Sequence, residues 1–553
     1  MTPETLVDAL MHPLRPQHRI GYLTGPNPVF TTYEELLDRA TRRLGRLQSQ
    51  GVRPGNFVGF YVSAPQDFLE LFWACLLGGA VPVPVSTGAT EEHQRKVWRV
   101  LGLFEDPFFV TDEQSWERIA AFASSESAGR DLSRLKSRLV TVAELREASL
   151  HGPSGVHHDV RPDDLAYVQF SSGSTRLPKG IKLTHRNLVA NTTAIIEAIQ
   201  LEPDDRPHAW MPLTHDMGLI GGHLTPFMRG TNHTLMPTER FVRRPLTWLQ
   251  EAAAHRVTVT SGPNFAYQHT LRAYKRERFE GLDLSPVRVI FNGAEPISYA
   301  LVKRFLDTFA VHGLNPDAMF PVYGLAEASL AVTMPPLGSG LRKTSVDRTR
   351  LGLGDPVRDP DSDQDRLDIV PCGRPIRHTE VRIGDGSDRP QPVEDGVVGP
   401  IWIRGLNVTS SVRTEEGDFD PRVDGWYDTG DLGFLHRGEL HVAGRRKEMA
   451  IVNGQNIFPH DIETVVSSLD EVEIGKVAAV GLRDGEREVL AVFVQWRRSP
   501  EAFEALAQKI RHVVTTQTGF GVSLVLPVSS IPKTTSGKLQ RVKLAEDYEQ
   551  GRL

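Results

Sequence analysis

The chain has 553 residues, too many for one ordinary core and enough for about three or four domain-sized units. Its 40% hydrophobic and 24% charged residues are close to those of an average soluble globular protein. Sixty-three Lys and Arg against 69 Asp and Glu leave a net charge of −6, which speaks against a nucleic-acid partner, although a local basic groove stays open. Two cysteines, Cys75 and Cys372, exclude a disulfide framework and a four-cysteine zinc site, and both read as small buried residues. The N-terminus, MTPETLVDALMHPLRPQHR, has no basic segment followed by an apolar run, so no secretory signal is visible. The most apolar stretch, LFWACLLGGAVPVPV, is shorter than a membrane span and is broken by Gly and Pro. A soluble, cytoplasmic protein with no stable membrane insertion is expected, and the sequons at Asn191, Asn232 and Asn407 read as chance.

In chain order, TTYEELLDRATRRLGRLQSQGV predicts a helix that stops at Gly51. NFVGFYV predicts a short strand, QDFLELFWACLLGGA a buried helix and VPVPV the next strand. DLAYVQF, VTVTSG and VRVIFNGAE predict further strands, each followed by a turn and a helix-like segment. This alternation predicts an α/β fold of right-handed crossovers and mostly parallel sheets, which bind ligands at the carboxyl ends of their strands. The run RTRLGLGDPVRDPDSDQDR, residues 348–366, is rich in Asp, Pro and Gly and reads as a surface loop or insertion. After Gly444, MAIVNG, IETVVSSL, VAAVGL, VLAVFVQW and a helix around EAFEALAQKIRHVV suffice for a small α+β domain. The expected division is a large domain over 1–444, with an insertion-like segment at about 340–370, and a small domain over 445–553.

Four segments carry groups suited to phosphate chemistry. SSGSTRLPKG follows the strand DLAYVQF and combines Ser171, Ser172, Gly173, Ser174, Thr175 and Lys179. Backbone N–H groups, hydroxyls and a lysine can converge there on an anion; a plain loop is the other reading. The order is not that of the Walker loop, and Arg176 sits where a glycine would ease bending. VYGLAEASL places Glu327 among apolar residues, where a carboxylate is costly to bury without a partner such as a divalent metal; a surface glutamate is the alternative. DGWYDTGDLG sets Asp428 and Asp431 beside turn glycines, as metal ligands, acceptors for ribose hydroxyls, or members of a solvated turn. IPKTTSGKLQR carries Lys533, Lys538 and Arg541 in a polar loop, or in a frayed basic tail.

Together SSGSTRLPKG, VYGLAEAS, GWYDTGDLG, GRRKEMAIVNGQNIFPHDIE and PKTTSGKLQR resemble the motifs of the adenylate-forming superfamily, in order and spacing, over nearly the whole chain. WMPLTHDMGLIGGHLTPFMRG, FVRRPLTWLQ, FNGAEPIS, YGLAEASL and the Arg176 form of the loop resemble the fatty acyl-AMP ligases within it. VDRTRLGLGDPV…LDIVPCGRPI resembles the insertion that sets those ligases apart from acyl-CoA synthetases. The resemblance implies the adenylate-forming fold, a large domain plus a small mobile domain, with ATP and Mg²⁺ as cofactors. It implies that a carboxylic acid, a fatty acid by this likeness, is activated to acyl-AMP and passed to the phosphopantetheine arm of an acyl carrier protein. Only twelve residues follow Arg541, so a separate carrier is expected.

By the same resemblance, Ser171–Thr175 and Lys179 hold phosphates, Glu327 with Thr175 holds Mg²⁺, and Asp431 with Arg445 binds the ribose. Gly293, Ala294, Glu295 and Pro296 with Tyr323 and Gly324 frame the adenine, Lys538 swings in as the catalytic lysine, and Lys447 is the hinge. His215 flanks the substrate carboxylate, while Met217, Leu219, Phe265 and Tyr267 line a tunnel or belong to the core. One departure is Ala326, where the superfamily usually has a hydroxyl residue. An acyl- or aryl-CoA synthetase, a stand-alone amino-acid-activating enzyme and a non-catalytic nucleotide binder are the competing readings.

Overall fold

The computed structural model describes residues 3–88, 90–125, 129–170, 178–276, 279, 281–452, 455–473, 475–484, 487–534 and 538–553, apart from the side chains of 124, 125, 129–131 and 484. Helix α1 (Tyr33–Ser49) starts at a capping box. Thr32 Oγ1 accepts from Glu35 N at 3.1 Å, and Glu35 Oε2 accepts from Thr32 N at 2.7 Å. Leu36, Ala40, Leu44 and Leu47 recur at helical spacing and turn one buried face inward. Strand β1 (Phe57–Tyr61) leads into α2 (Pro65–Leu77), which is buried on nearly every side and so runs through the core. With β2 (Val81–Pro84), β3 (Phe108–Thr111) and β4 (Leu139–Thr141) it forms a parallel sheet of order β2-β1-β3-β4.

The next strand departs from the expected pattern. β5 (Leu165–Phe170) is followed by β6 (Gly180–Thr184), which returns antiparallel to it with Phe170 opposite Gly180, before helix α3 (His185–Ala198). The helix-like HRNL thus comes one strand later than the alternation implied. Helix α4 (Thr238–Arg243) precedes a second parallel sheet of β7 (Val259–Ser261), β8 (Val289–Asn292) and β9 (Met319–Pro321), with helix α5 (Asn264–Ala273) between its first two strands.

Beyond β9 the strand pairs are antiparallel up to the last, in which Arg487–Gln495 pairs in parallel with Leu524–Val528. In the insertion-like segment, β10 (Thr344–Asp347) pairs with β11 (Arg366–Ile369), so this part is strand-anchored rather than a free loop. β12 (Trp426–His436) and β13 (Glu439–Arg445) form a hairpin through Arg437 and Gly438, at φ +54° and +75°. Two successive positive φ values make the tight turn that matches the strands' right-handed twist. From Ala450 onward a separate core gathers Ile457, then Ile462 and Val466 of α6 (Pro459–Val466), with Val492, Ile510 and Val514, the last two on α7 (Pro500–Thr518).

One buried ionic network ties α1 to α2. The Arg43 guanidinium lies 2.9 Å from Asp67 and 2.5 Å from Glu70, with the three side chains 1–7% exposed. Arg146 reaches Asp67 from outside at 2.6 Å, and the two arginines hold the Asp67 carboxyl below its ordinary range against the opposing effect of burial. Removing one partner of such a cluster leaves charge buried without compensation. Arg43→Ala is therefore expected to cost about 3–5 kcal/mol, read from urea unfolding. A loss below about 1 kcal/mol, as for an exposed pair, would contradict that assignment.

Candidate active site

A cavity of about 1470 Å³ lies between the large domain and the small core, lined by residues from both. At its floor the hairpin β12–β13 sets Asp431 directly across from Arg445. The Arg445 guanidinium lies 2.9 Å from Asp431 Oδ1, and the Tyr323 hydroxyl donates to Oδ2 at 2.6 Å. Asp431 is 6% exposed. Burial pushes its carboxyl above the usual range, while Arg445, Tyr323 and the charge of Lys538 pull it back.

The turn carrying Glu327 is shaped by close packing. Gly324 has no room for a side chain, because a Cβ there would lie 1.9 Å from the Leu330 carbonyl oxygen. Leu325 N donates to that same carbonyl at 2.9 Å, closing a single helical turn over Ala326–Ala328. Glu327 is half-buried on this turn, and its Oε1 accepts from the Tyr427 hydroxyl at 3.0 Å. Burial raises its proton affinity. Gly293 and Ala294 turn the chain sharply after β8: a Cβ on Gly293 would meet the Val322 carbonyl at 2.8 Å, and Ala294 holds a φ of +71°. Ala294, Glu295 and Pro296 face the cavity together with Tyr323 and Gly324.

His215 is paired rather than packed among apolar groups. Its Nδ1 lies 2.6 Å from Asp216 Oδ1, and Met217 N donates to the same oxygen at 2.7 Å. Met217 N also approaches His215 Nδ1 itself, at 3.3 Å. Asp216 is buried; His215 and Lys538 hold its carboxyl below the ordinary range although burial opposes them. Of the apolar tunnel candidates, Met217 and Phe265 line the cavity, whereas Leu219 and Tyr267 belong to the core.

Lys538, from the chain beyond Ala450, lines the same cavity, and its positive charge bears on Asp216, Glu295 and Asp431 together. Its backbone is held locally, with Thr534 N donating to Lys538 O at 2.8 Å and Lys538 N donating to Thr534 Oγ1 at 3.0 Å. The frayed-tail reading of this stretch does not hold. Arg541 pairs with Glu448 and Glu463, each at 2.7 Å, and opens a helix over Arg541–Glu549. Lys447 is exposed on the single turn Arg446–Glu448 that leaves β13. Lys179 is exposed at the cavity wall, and Ser171, Ser172, Gly173, Ser174, Thr175 and Arg176 lie outside the described residues. Asp428 pairs with Arg446 at 2.6 Å and stands within strand β12, not a turn. Two partners escaped the sequence: Tyr427, bonded to Glu327, and Asp216 as the holder of His215. The carboxylate beside the histidine in THD was the one signal for the second.

The chain belongs to the AMP-binding enzyme family, whose profile matches residues 20–411. It is 32% identical to the long-chain-fatty-acid–AMP ligase FadD26 of Mycobacterium marinum, over 94% of this chain and 91% of that one. It is likewise 32% identical to the medium-chain-fatty-acid–acyl-carrier-protein ligase JamA of Moorena producens, over 94% and 90%. A Caulobacter vibrioides protein described as an acyl-CoA synthetase is also 32% identical, over 94% and 90%. Among solved structures, one from work on fatty acyl-adenylate ligases of E. coli and L. pneumophila superposes with a TM-score of 0.88 at 30% identity, covering 99% of this chain and 98% of that one. The adenylate-forming fold expected from the motifs is therefore present, and the homologues and structural neighbours include fatty acyl-AMP ligases.

Because folding raises the Asp431 carboxyl above its unfolded value, its ionised form subtracts stability at neutral pH, and that cost fades as pH falls through the folded value. Asp431→Asn removes the charge and keeps an acceptor for Tyr323. The empty protein is expected to melt at the same temperature or higher at pH 7.5, while its affinity for ATP falls at least about tenfold, as for loss of a charge-assisted hydrogen bond. Unchanged ATP affinity by calorimetry would contradict a ligand-holding role.

Proposed function

We propose that this enzyme activates a fatty acid to acyl-AMP and passes the acyl group to the phosphopantetheine thiol of a separate acyl carrier protein. The observation that supports it most is that Lys538 lines the same cavity as Asp216, Glu295 and Asp431, whose carboxylates feel its charge. In the first step a carboxylate oxygen of the acid attacks the α-phosphorus of ATP, the bond from that phosphorus to the bridging oxygen breaks, and pyrophosphate leaves. Both reactants are anionic, so positioning and charge neutralisation carry the catalysis. Lys538 bridges the carboxylate and the α-phosphate, its charge counting most as the transition state forms. His215, oriented by Asp216, flanks the acid. Asp431 and Arg445 take the ribose hydroxyls, and Gly293–Pro296 with Tyr323 frame the adenine. Ser171–Thr175 and Lys179 hold the departing phosphates.

Mg²⁺ fits this donor set. Among the described residues no group of three or more His, Cys, Asp or Glu forms a cation cage. Mg²⁺ needs none, since it binds through one or two carboxylates plus substrate phosphates and water. Glu327 and Thr175 would hold it, and when bound it supplies neutralisation of phosphate charge.

In the second step the thiol sulfur attacks the acyl carbon, AMP leaves and the thiol proton is released. This needs the small domain to turn about Lys447. The insertion-like segment bears on that turn. Arg348 pairs with Asp461 of α6 at 2.7 Å, both side chains under a tenth exposed, and Gln364 Nε2 donates to Thr515 O of α7 at 2.9 Å. These bonds support a small domain restrained in the adenylating posture, as in a ligase that refuses CoA. The Caulobacter relative favours the second reading, an acyl-CoA synthetase.

Incubation with ATP, Mg²⁺ and a fatty acid, followed by CoA or a phosphopantetheinylated carrier protein, decides between them. Acyl-carrier product with little acyl-CoA is expected; efficient acyl-CoA formation would overturn the proposal. Replacing the buried pair by Arg348→Leu with Asp461→Leu, which leaves no charge unpaired, should raise CoA thioesterification severalfold with pyrophosphate exchange preserved.

A further inference from the structure

We propose that the outer face of α4 and α5 is a docking surface for an acidic protein partner, the carrier protein that delivers the thiol. This rests on the carrier-dependent reading above. From Thr238 to Arg276 the sequence holds seven Arg and Lys against two Glu, a local net charge of +5 in a protein of net charge −6. One of those glutamates, Glu251, is taken up by Arg240 at 2.6 Å. Arg243, Arg244, Lys275 and Arg276 are exposed, and among the described residues none of them makes an ion pair. The two helices form one surface: His269 of α5 bonds the Val242 carbonyl at 3.0 Å, and Phe241 packs against Phe265 with ring centroids 6.3 Å apart. Arg272 lies one helical turn beyond His269 and faces Glu473 of the small domain.

This surface borders the reaction cavity. Val242, Phe265, His269 and Arg272 all line it, and Val242 and Phe265 are 54% and 36% exposed. Phe265 N also approaches Glu295 Oε1 at 3.4 Å, next to the carboxylates that face Lys538. A partner seated here brings a flexible thiol arm to the acyl-AMP by a short path. Unpaired exposed cations around a small apolar centre suit an acidic protein face, because complementary charge steers encounter and fixes register. A bilayer suits them less. The apolar centre is two side chains on short helices, without the broad apolar stripe of an interfacial helix.

The test compares wild type with Arg243→Glu/Arg244→Glu and Lys275→Glu/Arg276→Glu. Three activities are read: fatty-acid-dependent ATP–pyrophosphate exchange, transfer to an acidic phosphopantetheinylated acyl carrier protein, and transfer to free pantetheine. Expected is a fall of about tenfold or more in kcat/KM for the carrier, with exchange and pantetheine transfer within about twofold of wild type. The carrier kcat/KM of wild type should fall with added salt, and that of the variants should not. Unchanged carrier kcat/KM in both variants overturns the docking surface, as does an equal fall in all three activities. Loss of binding to phosphatidylglycerol vesicles with normal carrier loading also overturns it, in favour of a membrane face. If wild type itself acylates CoA and not the carrier, the functional reading fails and this surface with it. If wild type and variants load the carrier equally, only the surface fails.

Discussion

The structure turns on four carboxylates gathered in the wall of one cavity. Asp216, Glu295, Glu327 and Asp431 share its wall, and burial raises the proton affinity of the last three. Arg445 answers Asp431 directly, and Lys538 answers three of the four from a different domain. Carboxylates held this way are costly to keep ionised without compensating charge, and carboxylates perturbed like this cluster at functional sites. The rest of the architecture serves that balance. The β12–β13 hairpin sets Asp431 opposite Arg445, the glycine at 324 lets the Glu327 turn close, and Arg541 anchors the Lys538 loop through Glu448 and Glu463.

Much of the fold was legible because its local signals agree with its long-range contacts. The helix of TTYEELLDRATRRLGRLQS starts at a capping box and keeps an apolar face, and NFVGFYV, VPVPV and VRVIFN became strands of parallel sheets. The departures have physical causes. LAYVQF is followed by a second strand, GIKLT, whose short alternation gives no warning that it will pair backwards. The antiparallel sheets after Tyr323 hang on turns such as Arg437-Gly438, which a reader of strand–helix alternation passes over.

The candidate residues were legible through their motifs, whereas their partners were not. THDMG shows only that a carboxylate neighbours His215, and nothing in YDTGD says that Tyr427 will reach Glu327 a hundred positions away. The Asp- and Pro-rich run beginning at Arg348 reads as solvated loop. Yet Arg348, on the single turn that follows β10, is buried against Asp461, whose carboxyl burial pushes up to about 6. Composition reports the average of a segment, and a single anchoring residue is invisible in it.

Whether Lys538 completes the charge balance for adenylate formation is decided by Lys538→Ala, with ATP binding, fatty-acid-dependent pyrophosphate exchange and acyl transfer from supplied acyl-AMP measured on one preparation. Exchange is expected to fall by orders of magnitude while ATP binding and transfer from supplied acyl-AMP persist. Exchange close to the wild-type rate would contradict it.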